Sequence, residues 1–256
     1  MRADVFVYSG GYAKSRNAAR ILIESGAVVI DGSPVTKPSE DIDEKNEHTV
    51  EITQTEKYVS RGGLKLEAAL NAFGIDVIGM DAIDIGASTG GFTDCLLKHG
   101  ATHVVAVDSG EGQLDKSLAF DERVLSIEKY NARQLSVEII PNKADIAVMD
   151  VSFISQTLII PKVRTVLKDS GIFVSLIKPQ FEAGRSAIGK GGVVKKAQDR
   201  LNAVLRVRAC AAEYGLSLTG LIVSPITGGD GNIEYLGCFM LDKEPLDEKY
   251  IRGIVL

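Results

Sequence analysis

The fold is decided by a stretch in which glycines join a strand to a helix: Asp84-Ile85-Gly86-Ala87-Ser88-Thr89-Gly90-Gly91-Phe92-Thr93-Asp94. Residues 82–85 form a short apolar run, three glycines follow within six residues, and residues 92–98 show helical periodicity. Glycine lets a backbone approach a ligand closely, and a helix N-terminus offers unpaired N–H groups. The junction therefore predicts a ligand site beyond the carboxyl end of a strand.

The next predicted strand indicates which class of ligand binds at this junction. Residues 103–107 are mostly apolar, and Asp108 follows them 22 residues after Gly86, where an acidic side chain can hydrogen-bond a ribose. The loop spacing G-x-x-x-G-G is not the dinucleotide fingerprint G-x-G-x-x-G, so a nicotinamide cofactor is disfavoured. An adenosine cofactor without a pyrophosphate fits better.

Length and composition limit the class of protein. The chain has 256 residues with 45% hydrophobic content, enough for one substantial core and a small second domain. No apolar run approaches the roughly 18 to 20 residues that span a bilayer, and no signal peptide is recognisable, so we expect a cytoplasmic protein that does not bind membranes. Three distant cysteines predict reduced thiols, and Gly100 interrupts the spacing of Cys95, His99 and His103, so we expect no metal site.

Strands and helices alternate through the second part of the chain. The predicted strands are short and mostly apolar, and they lie at residues 82–85, 103–107, 124–128, 144–149, 172–177, 218–223 and 235–241. This pattern predicts an α/β, Rossmann-like domain with a mostly parallel seven-stranded sheet, helices on both faces and an antiparallel last strand.

Charged residues lie at the ends of these strands. Asp150 and Lys178 each follow a strand, and ligands of such sheets bind beyond the carboxyl ends of the strands. Glu234 opens the last strand, whose start lies at the same edge if that strand is antiparallel. Lys65, in the first turn of a helix predicted to run antiparallel to residues 82–85, reaches this edge too. A solvated lysine is the alternative for Lys65, but the topology lets all four charges converge.

The first part of the chain carries a basic helix. Residues 1–38 hold five basic and three acidic residues, a net charge of +2, within a chain whose net charge is −5. Ser15 can cap a helix that Gly26 ends. Arg16 and Arg20 are four residues apart and share one exposed face of that helix. A solvated helix face is the alternative to a binding role.

A tight hairpin follows this helix, with a strand over residues 27–30, a turn at Asp31-Gly32 and a return over residues 34–37. The order of these features resembles the small RNA-binding domain first described in protein four of the small ribosomal subunit, on the stretches Arg2-Ala3-Asp4-Val5, Ala13-Lys14-Ser15-Arg16, Ile23-Glu24-Ser25-Gly26-Ala27-Val28, Ile30-Asp31-Gly32 and Val35-Thr36-Lys37-Pro38. The resemblance implies a small α+β domain that binds structured RNA through phosphate contacts of Arg2, Lys14, Arg16 and Arg20.

The whole chain resembles the TlyA family of ribosomal-RNA 2′-O-methyltransferases, also labelled hemolysin-like, in which such a domain is fused to an FtsJ-type methyltransferase. The resemblance rests on the glycine loop and four further stretches: Ser60-Arg61-Gly62-Gly63-Leu64-Lys65-Leu66, Asp150-Val151-Ser152-Phe153, Ile177-Lys178-Pro179-Gln180-Phe181-Glu182 and Gly231-Asn232-Ile233-Glu234. It implies an RNA-binding domain over residues 1–57, a linker over 58–63 and an S-adenosylmethionine-dependent methyltransferase domain over 64–256. It also implies methylation of a cytidine ribose in ribosomal RNA, for which we expect the large subunit as partner.

The same resemblance implies the site residues. FtsJ-type enzymes carry a Lys-Asp-Lys-Glu tetrad, which transfers to Lys65, Asp150, Lys178 and Glu234. The residues expected around S-adenosylmethionine are Gly86, Ser88, Gly90, Phe92, Asp108 and Asn131. The residues expected at the RNA, beyond the first domain, are Arg61, Phe153 and Arg185. A helix cap is the alternative for Asn131, and a core position is the alternative to base stacking for Phe153. No metal is required.

The expected chemistry is direct methyl transfer to the ribose hydroxyl, with Lys178 as the candidate base. A lysine is ordinarily protonated at neutral pH, so it must be desolvated or face another cation to act as a base. Lys65 supplies that cation, whereas Asp150 and Glu234 favour the charged form. If the carboxylates prevail, Lys178 is an electrostatic positioner instead.

Three other functions remain open on the sequence alone. A base amino-methyltransferase is the nearest, because Asp150 and Phe153 have the spacing of the Asn/Asp-Pro-Pro-aromatic turn, although Val151 and Ser152 replace the prolines. A membrane-lytic protein is suggested by the hemolysin label, but no amphipathic or spanning segment supports it. An RNA-binding protein without catalysis is the third.

Overall fold

The computed structural model describes residues 1–24, 26–53, 57–189, 191–228 and 231–256, except for the side chain of Arg185. The chain divides into two compact units, Met1–Lys57 and Tyr58–Leu256. Residues 58–63, predicted as a linker, pack within the second unit. Tyr58 is buried there, and the Val59 N–H donates to Asp94 Oδ2 at 2.9 Å.

The described part of the first unit, residues 1–24, 26–53 and 57, forms two helices and a three-stranded sheet: α1 Ala3–Ser9, α2 Arg16–Glu24, β1 Val28–Ile30, β2 Ser33–Pro34 and β3 Val50–Ile52. β1 is central and pairs antiparallel with both other strands. The predicted cap is present, because Ser15 Oγ accepts the Ala18 N–H at 3.1 Å. The turn at Asp31 and Gly32 has φ of 51° and 74°, as a two-residue type I′ hairpin requires.

Two elements of this unit have weak signals in the sequence. α1 is seven residues long and contains the β-branched Val5 and Val7, which lower helix propensity. β3 has only three residues. Tertiary contacts stabilise both, because Ala3 and Val7 are fully buried and β3 completes the sheet beside β1.

Among its described residues, the second unit has seven strands in one sheet with seven helices around it: α3 Gly62–Phe73, β4 Asp81–Ile85, α4 Gly91–Lys98, β5 His103–Val107, α5 Lys116–Ala119, β6 Val124–Ile127, β7 Ala144–Met149, α6 Ile160–Val166, β8 Leu167–Ile177, α7 Pro179–Glu182, α8 Ala197–Glu213, β9 Leu216–Val223, β10 Tyr235–Leu241 and α9 Glu248–Val255. The spatial order is β6-β5-β4-β7-β8-β10-β9. β10 is antiparallel to both neighbours, so the predicted fold class is confirmed.

A hydrophobic core covers each face of this sheet. In β4, Ile83 and Ile85 belong to the core that includes Val163 of α6 and Val204 of α8, whereas Ala82 belongs to the core beneath α3 and α4. Strands buried on both faces must be apolar throughout, which is why these segments show no alternation in the sequence. Between β6 and β7, the chain forms two short 3₁₀ turns instead of a helix.

This topology determines which residues share the functional edge. The carboxyl ends of β4, β5, β7 and β8 meet there, as parallel neighbours must. The antiparallel pairing of Tyr235 with Ile177 then brings the start of β10 to the end of β8. As a result, Glu234 and Lys178 lie next to paired residues although 56 positions separate them in the sequence.

Candidate active site

A polar pocket of about 310 Å³ lies at the carboxyl edge of the sheet. Its lining residues come from the start of α3, the glycine loop, the ends of β7 and β8, and the segment before β10; they are Ser60, Arg61, Gly62, Lys65, Gly86, Ala87, Ser88, Thr89, Gly91, Phe92, Asp150, Ser152, Lys178, Ile226, Thr227 and Gly228. Charged, hydroxyl and bare backbone groups therefore converge on one small cavity.

The glycine loop approaches β7 too closely for any side chain at its first position. Gly86 has φ of +85°, and a Cβ atom placed there would lie 2.5 Å from the Asp150 carbonyl oxygen. Ser88 also has a positive φ, +49°, which costs energy for a residue with a side chain. Asp108 accepts the Ser88 N–H at 2.8 Å and the Gly110 N–H at 2.7 Å, so the acid after β5 fixes the loop.

Asp84, in β4, also stabilises the glycine loop. It is fully buried, and its Oδ2 accepts both the N–H and the hydroxyl of Thr93, at 2.9 and 2.7 Å. Its Oδ1 atom has no hydrogen-bond partner among the described residues. Burial raises the pKa of Asp84 to about 7, against the lowering effect of the Thr93 hydrogen bonds, and the charges of Asp150 and Asp108 raise it further.

Lys65 and Glu234 form one of two lysine–carboxylate pairs at the pocket. Lys65 Nζ donates to Glu234 Oε2 at 2.7 Å, and both side chains are nearly enclosed, with exposed fractions of 11% and 2%. Gln180 Nε2 lies 3.4 Å from the second oxygen, Oε1. A charged pair this deeply buried has lost its hydration, so each group depends on the other for compensation.

Lys178 and Asp150 form the other pair. Lys178 Nζ lies 2.5 Å from Asp150 Oδ1 and donates to Ser152 Oγ at 2.9 Å. The Asp150 N–H donates to the Ile85 carbonyl at 3.0 Å, which attaches this turn to the end of β4. The structure thus brings both amines and both carboxylates of the predicted tetrad to one edge of the sheet.

Three predicted cofactor residues differ in how they contribute. Phe92 lines the pocket but is 3% exposed and packs in the core beneath α3 and α4. Gly90 does not line the pocket; a Cβ atom there would lie 2.3 Å from Leu118, so this glycine permits close packing on α5. Asn131 also lies outside the lining, and its side chain caps a 3₁₀ turn by accepting the Arg133 N–H at 3.0 Å, as the alternative for it predicted.

The predicted RNA contacts of this unit are at the surface. Phe153 is 92% exposed with φ of +62°, and its ring lies 5.3 Å from that of Phe181, so the alternative of a core position is wrong. Arg61 is exposed and lines the mouth of the pocket. The side chain of Arg185 lies outside the described part of the structure.

The pocket fits S-adenosylmethionine, the predicted cofactor. Its volume is at the lower end of the roughly 300 to 1,000 Å³ typical of small-molecule sites. Its floor at Gly86 is bare backbone, and no larger residue could occupy that position without displacing Asp150. Polar groups of the lining, among them Ser88, Thr89 and Asp150, could bind the polar parts of such a ligand.

The first unit contains a separate, open cleft of about 490 Å³ that is lined by Arg2, Asp4, Arg16, Asn17, Arg20, Glu24, Pro38 and Ser39. Asp4 is 3% exposed and accepts from Arg2 Nε and Arg16 Nε, each at 2.9 Å. The Arg2 hydrogen bond is the largest of several effects that lower the pKa of Asp4 to about 2. Arg20 pairs with Glu24 at 2.8 Å, and Lys14 is exposed but does not line the cleft.

Sequence reasoning missed several residues that organise these sites. Asp4 was only one of three acids in a basic segment, and nothing in the pattern showed that two arginines would enclose it. Ser152 and Gln180 lie within recognised stretches, but their contacts with Lys178 and Glu234 depend on tertiary structure. The signal available in the sequence was that Ser152 and Gln180 each lie in the same turn as a residue of the predicted tetrad.

No described helix has the length and apolar character needed to cross a bilayer. Cys95, Cys210 and Cys238 form no disulfide, and the described residues contain no group of three or more His, Cys, Asp or Glu side chains placed to hold a metal ion.

Two family models match the chain in the same order as the two units. Residues 1–48 match the S4 domain, and residues 58–241 match the FtsJ-like methyltransferase. The second match covers more than half of the chain.

Known proteins match over most of the chain. It is 44% identical to Hemolysin A of Brachyspira hyodysenteriae, over 94% of this chain and 100% of that protein. It is also 44% identical to the 16S/23S rRNA (cytidine-2′-O)-methyltransferase TlyA of Mycobacterium tuberculosis, over 91% of this chain and 87% of that protein. A solved structure, named as a hemolysin from Streptococcus thermophilus, is 43% identical with a TM-score of 0.78 and covers 100% of this chain and 94% of that one.

Proposed function

The chain belongs to the FtsJ-like methyltransferase family and carries an S4 domain, and from this premise we propose that it transfers a methyl group from S-adenosylmethionine to a cytidine ribose 2′-hydroxyl of ribosomal RNA. One observation of its own carries the proposal: two lysine–carboxylate pairs meet at the glycine-loop pocket. The name of the Mycobacterium tuberculosis relative describes this reaction on both ribosomal subunits. We expect the large-subunit RNA as the target here.

The residues of the pocket have different roles in binding S-adenosylmethionine. Gly86, Ser88 and Phe92 would hold the cofactor against the glycine loop, and Asp108 fixes the loop by accepting the Ser88 N–H. When bound, S-adenosylmethionine supplies an electrophilic methyl group on a sulfonium centre and leaves as a neutral thioether. Holding two reactants in line contributes on the order of 7 to 11 kcal/mol to such a reaction.

The Lys178–Asp150 pair activates the ribose hydroxyl. Lys178 Nζ, which lies 2.5 Å from Asp150 Oδ1, orients the 2′-hydroxyl and stabilises the alkoxide character that its oxygen gains as the proton leaves. As the new O–CH₃ bond forms, the hydroxyl proton passes to the pair, ultimately to the Asp150 carboxylate, and from there to solvent. The buried contact of Lys65 with Glu234 fixes the Lys65 side chain in the pocket lining.

RNA binding is shared between the two units. The guanidinium groups of Arg2 and Arg16 bind phosphates in the cleft of the first unit, where Asp4 fixes their orientation through Nε. The exposed ring of Phe153 stacks on the base of the target nucleotide. Its strained backbone supports this role, because such conformations concentrate at functional sites.

The test compares the wild-type chain with Lys178→Ala in the presence of tritiated S-adenosylmethionine and purified small and large ribosomal subunits. We expect the substitution to abolish incorporation while cofactor affinity stays within about tenfold, or 1.4 kcal/mol. Lys162→Ala, on the exposed face of α6, is the matched control. Equal incorporation by all three proteins would remove Lys178 from the reaction.

Alkaline hydrolysis of the labelled RNA identifies the methylated atom. A 2′-O-methyl group protects the adjacent phosphodiester bond from cleavage, so the label should appear in dinucleotides. Label in mononucleotides would instead indicate a base methyltransferase.

A further inference from the structure

The short turn after β8 connects four parts of the active site through consecutive side chains. Lys178 contacts Asp150 and Ser152, and Gln180 contacts Glu234. Phe181 then packs against Phe153, and the last residue of α7, Glu182, reaches across to the segment that follows Phe153. The position of this turn therefore affects every part of the proposed reaction site except the glycine loop.

Glu182 is buried and bonded to that segment by both carboxylate oxygens. It is 2% exposed; Oε2 accepts the Ser155 hydroxyl at 2.6 Å, and Oε1 accepts the Gln156 N–H at 2.8 Å. Its own carbonyl accepts Arg206 Nη1 at 3.0 Å, which attaches the turn to α8. The Gln156 side chain continues the network to Ser175 Oγ at 2.7 Å and the Leu176 carbonyl at 3.1 Å, both in β8.

The segment that Glu182 contacts carries the strained residue of the site. Its first end is fixed where the Asp150 N–H donates to the Ile85 carbonyl. Its second end is fixed by Glu182 at Ser155 and Gln156. Phe153, between the two ends, has φ of +62°, a conformation that persists only where its surroundings determine it. One anchor of the segment is thus a single carboxylate.

Burial of a carboxylate at this position costs free energy of desolvation. Burial raises the pKa of Glu182, and the hydrogen bonds from Ser155 and Gln156, together with the charge of Arg206, act in the opposite direction. A neutral side chain would avoid the cost of desolvation. What the carboxylate adds is two strong acceptors on one rigid group, which join a hydroxyl and a backbone N–H at fixed spacing.

We propose that Glu182 is a positioning residue for methyl transfer, whose carboxylate locks the Asp150–Gln156 segment to the Lys178 turn and so holds Ser152 and Phe153 in their working positions. The inference rests on the proposed function for its catalytic consequence. Its structural part stands on the hydrogen bonds alone. Glu182 contacts none of the residues named for the glycine loop, so it should influence the RNA side of the reaction and leave cofactor binding unchanged.

The first experiment measures turnover of Glu182→Gln with ribosomal subunits as substrate. We expect kcat to fall about 10- to 100-fold, because a misplacement of about 1 Å can cost about 100-fold, while the Kd for S-adenosylmethionine changes less than about threefold. Glu213→Gln, the same chemical change at the exposed end of α8, should match the wild type. A general loss of folding would instead lower cofactor stoichiometry and kcat together.

The second experiment needs no activity. Hydrogen exchange of the Gln156 amide, which donates to Glu182 in the wild type, should accelerate at least about tenfold in Glu182→Gln and stay unchanged in Glu213→Gln. If Glu182→Gln does not fold, Ser155→Ala removes one of the two bonds and keeps the charge, and kcat should still fall, by about threefold to tenfold.

The outcomes separate the two proposals. If the wild type transfers no label to ribosomal RNA, the proposed function fails, and the exchange result still decides whether Glu182 anchors the segment. If the wild type is active and the Glu182→Gln and Ser155→Ala variants match it in kcat, the positioning role of Glu182 is wrong. Accelerated exchange with unchanged kcat has the same meaning, since the anchor would then be irrelevant to the reaction.

Discussion

The arginine cleft of the first unit and the polar pocket of the second each depend on a buried aspartate, but the two carboxyl groups behave in opposite ways. Asp4 and Asp84 are 3% and 0% exposed. Two arginines that cover Asp4 lower its pKa to about 2, whereas Asp84 receives only neutral donors from Thr93 and has a pKa of about 7. The partner of a buried acid, and not burial alone, determines its charge.

The difference also separates two kinds of site. The cleft is open, and its arginines are roughly half exposed, so it is suited to a large anion such as an RNA phosphate backbone. The pocket is smaller, both of its lysines pair with carboxylates, and its backbone at Gly86 leaves no room for a side chain, so it is suited to a small ligand. Three changes test this comparison.

Asp84→Asn should have the largest effect, on the pH dependence of stability. The folded carboxyl group stays protonated up to about pH 7, whereas the unfolded chain ionises near pH 3.9, so the folded state holds one extra proton between these values. Stability of the second unit should fall as pH rises through this window, by at most about 4 kcal/mol, and the variant should lack this slope. Hydrogen exchange of the β4 amides from pH 4 to pH 8 measures it.

Asp121→Asn is the control for this measurement. Arg123 lowers the pKa of Asp121 to about 2, so its contribution is complete above pH 3.9 and is lost only as pH falls toward 2. The control should therefore retain the slope between pH 4 and pH 7. If the slope survives in Asp84→Asn as well, Asp84 is ionised in the folded protein.

Gly86→Ala should have the next largest effect, on catalysis. The new Cβ atom would meet the Asp150 carbonyl at 2.5 Å, so the turn that carries the Lys178 partner must move, and methyl transfer should fall at least about 100-fold. Gly32→Ala, in the first unit, has a similar φ of +74° but meets no atom within 4 Å. It should cost about 1 to 2 kcal/mol of local stability and leave the rate at saturating RNA unchanged. Similar rates for the two variants would show that the pocket wall tolerates movement.

Asp4→Asn should have the smallest effect, on RNA affinity, and its sign is informative. Removal of a negative charge would by itself strengthen RNA binding. We expect binding to weaken about tenfold instead, because Arg2 and Arg16 lose the acceptor that orients both, and charge-assisted hydrogen bonds of this kind contribute about 1.5 to 3 kcal/mol. Glu44→Gln removes an exposed charge from the same unit and serves as control. Tighter binding by both variants in filter-binding assays would show that only net charge matters.

Much of the fold could be predicted because long apolar runs and glycine punctuation are local signals. The seven strands of the second unit were all expected, and β5, β7 and β10 match their predicted bounds. The weak elements are short. α1 and β3 escaped prediction because each is stabilised by packing within its unit, which local propensity does not contain.

The residues of the site were harder to predict from the sequence than the fold was. Strand ends pointed to Asp150 and Lys178, and topology pointed to Glu234, because the chain direction of each strand fixes which end reaches the edge. By contrast, Gly90 and Asn131 lie in the predicted loops but outside the pocket lining, because a loop of known position can still direct a residue elsewhere.

The sequence by itself determined the order of the strands in the second unit and the types of charge available at the sheet edge, since periodicity, glycine spacing and strand ends are local features of the chain. Only the tertiary structure decided which charges pair. Lys65 meets Glu234 across 169 positions, and Lys178 meets Asp150. The physical reason is that burial and partner geometry, which set whether a carboxyl group such as Asp4, Asp84 or Glu182 carries charge, arise when distant segments pack together.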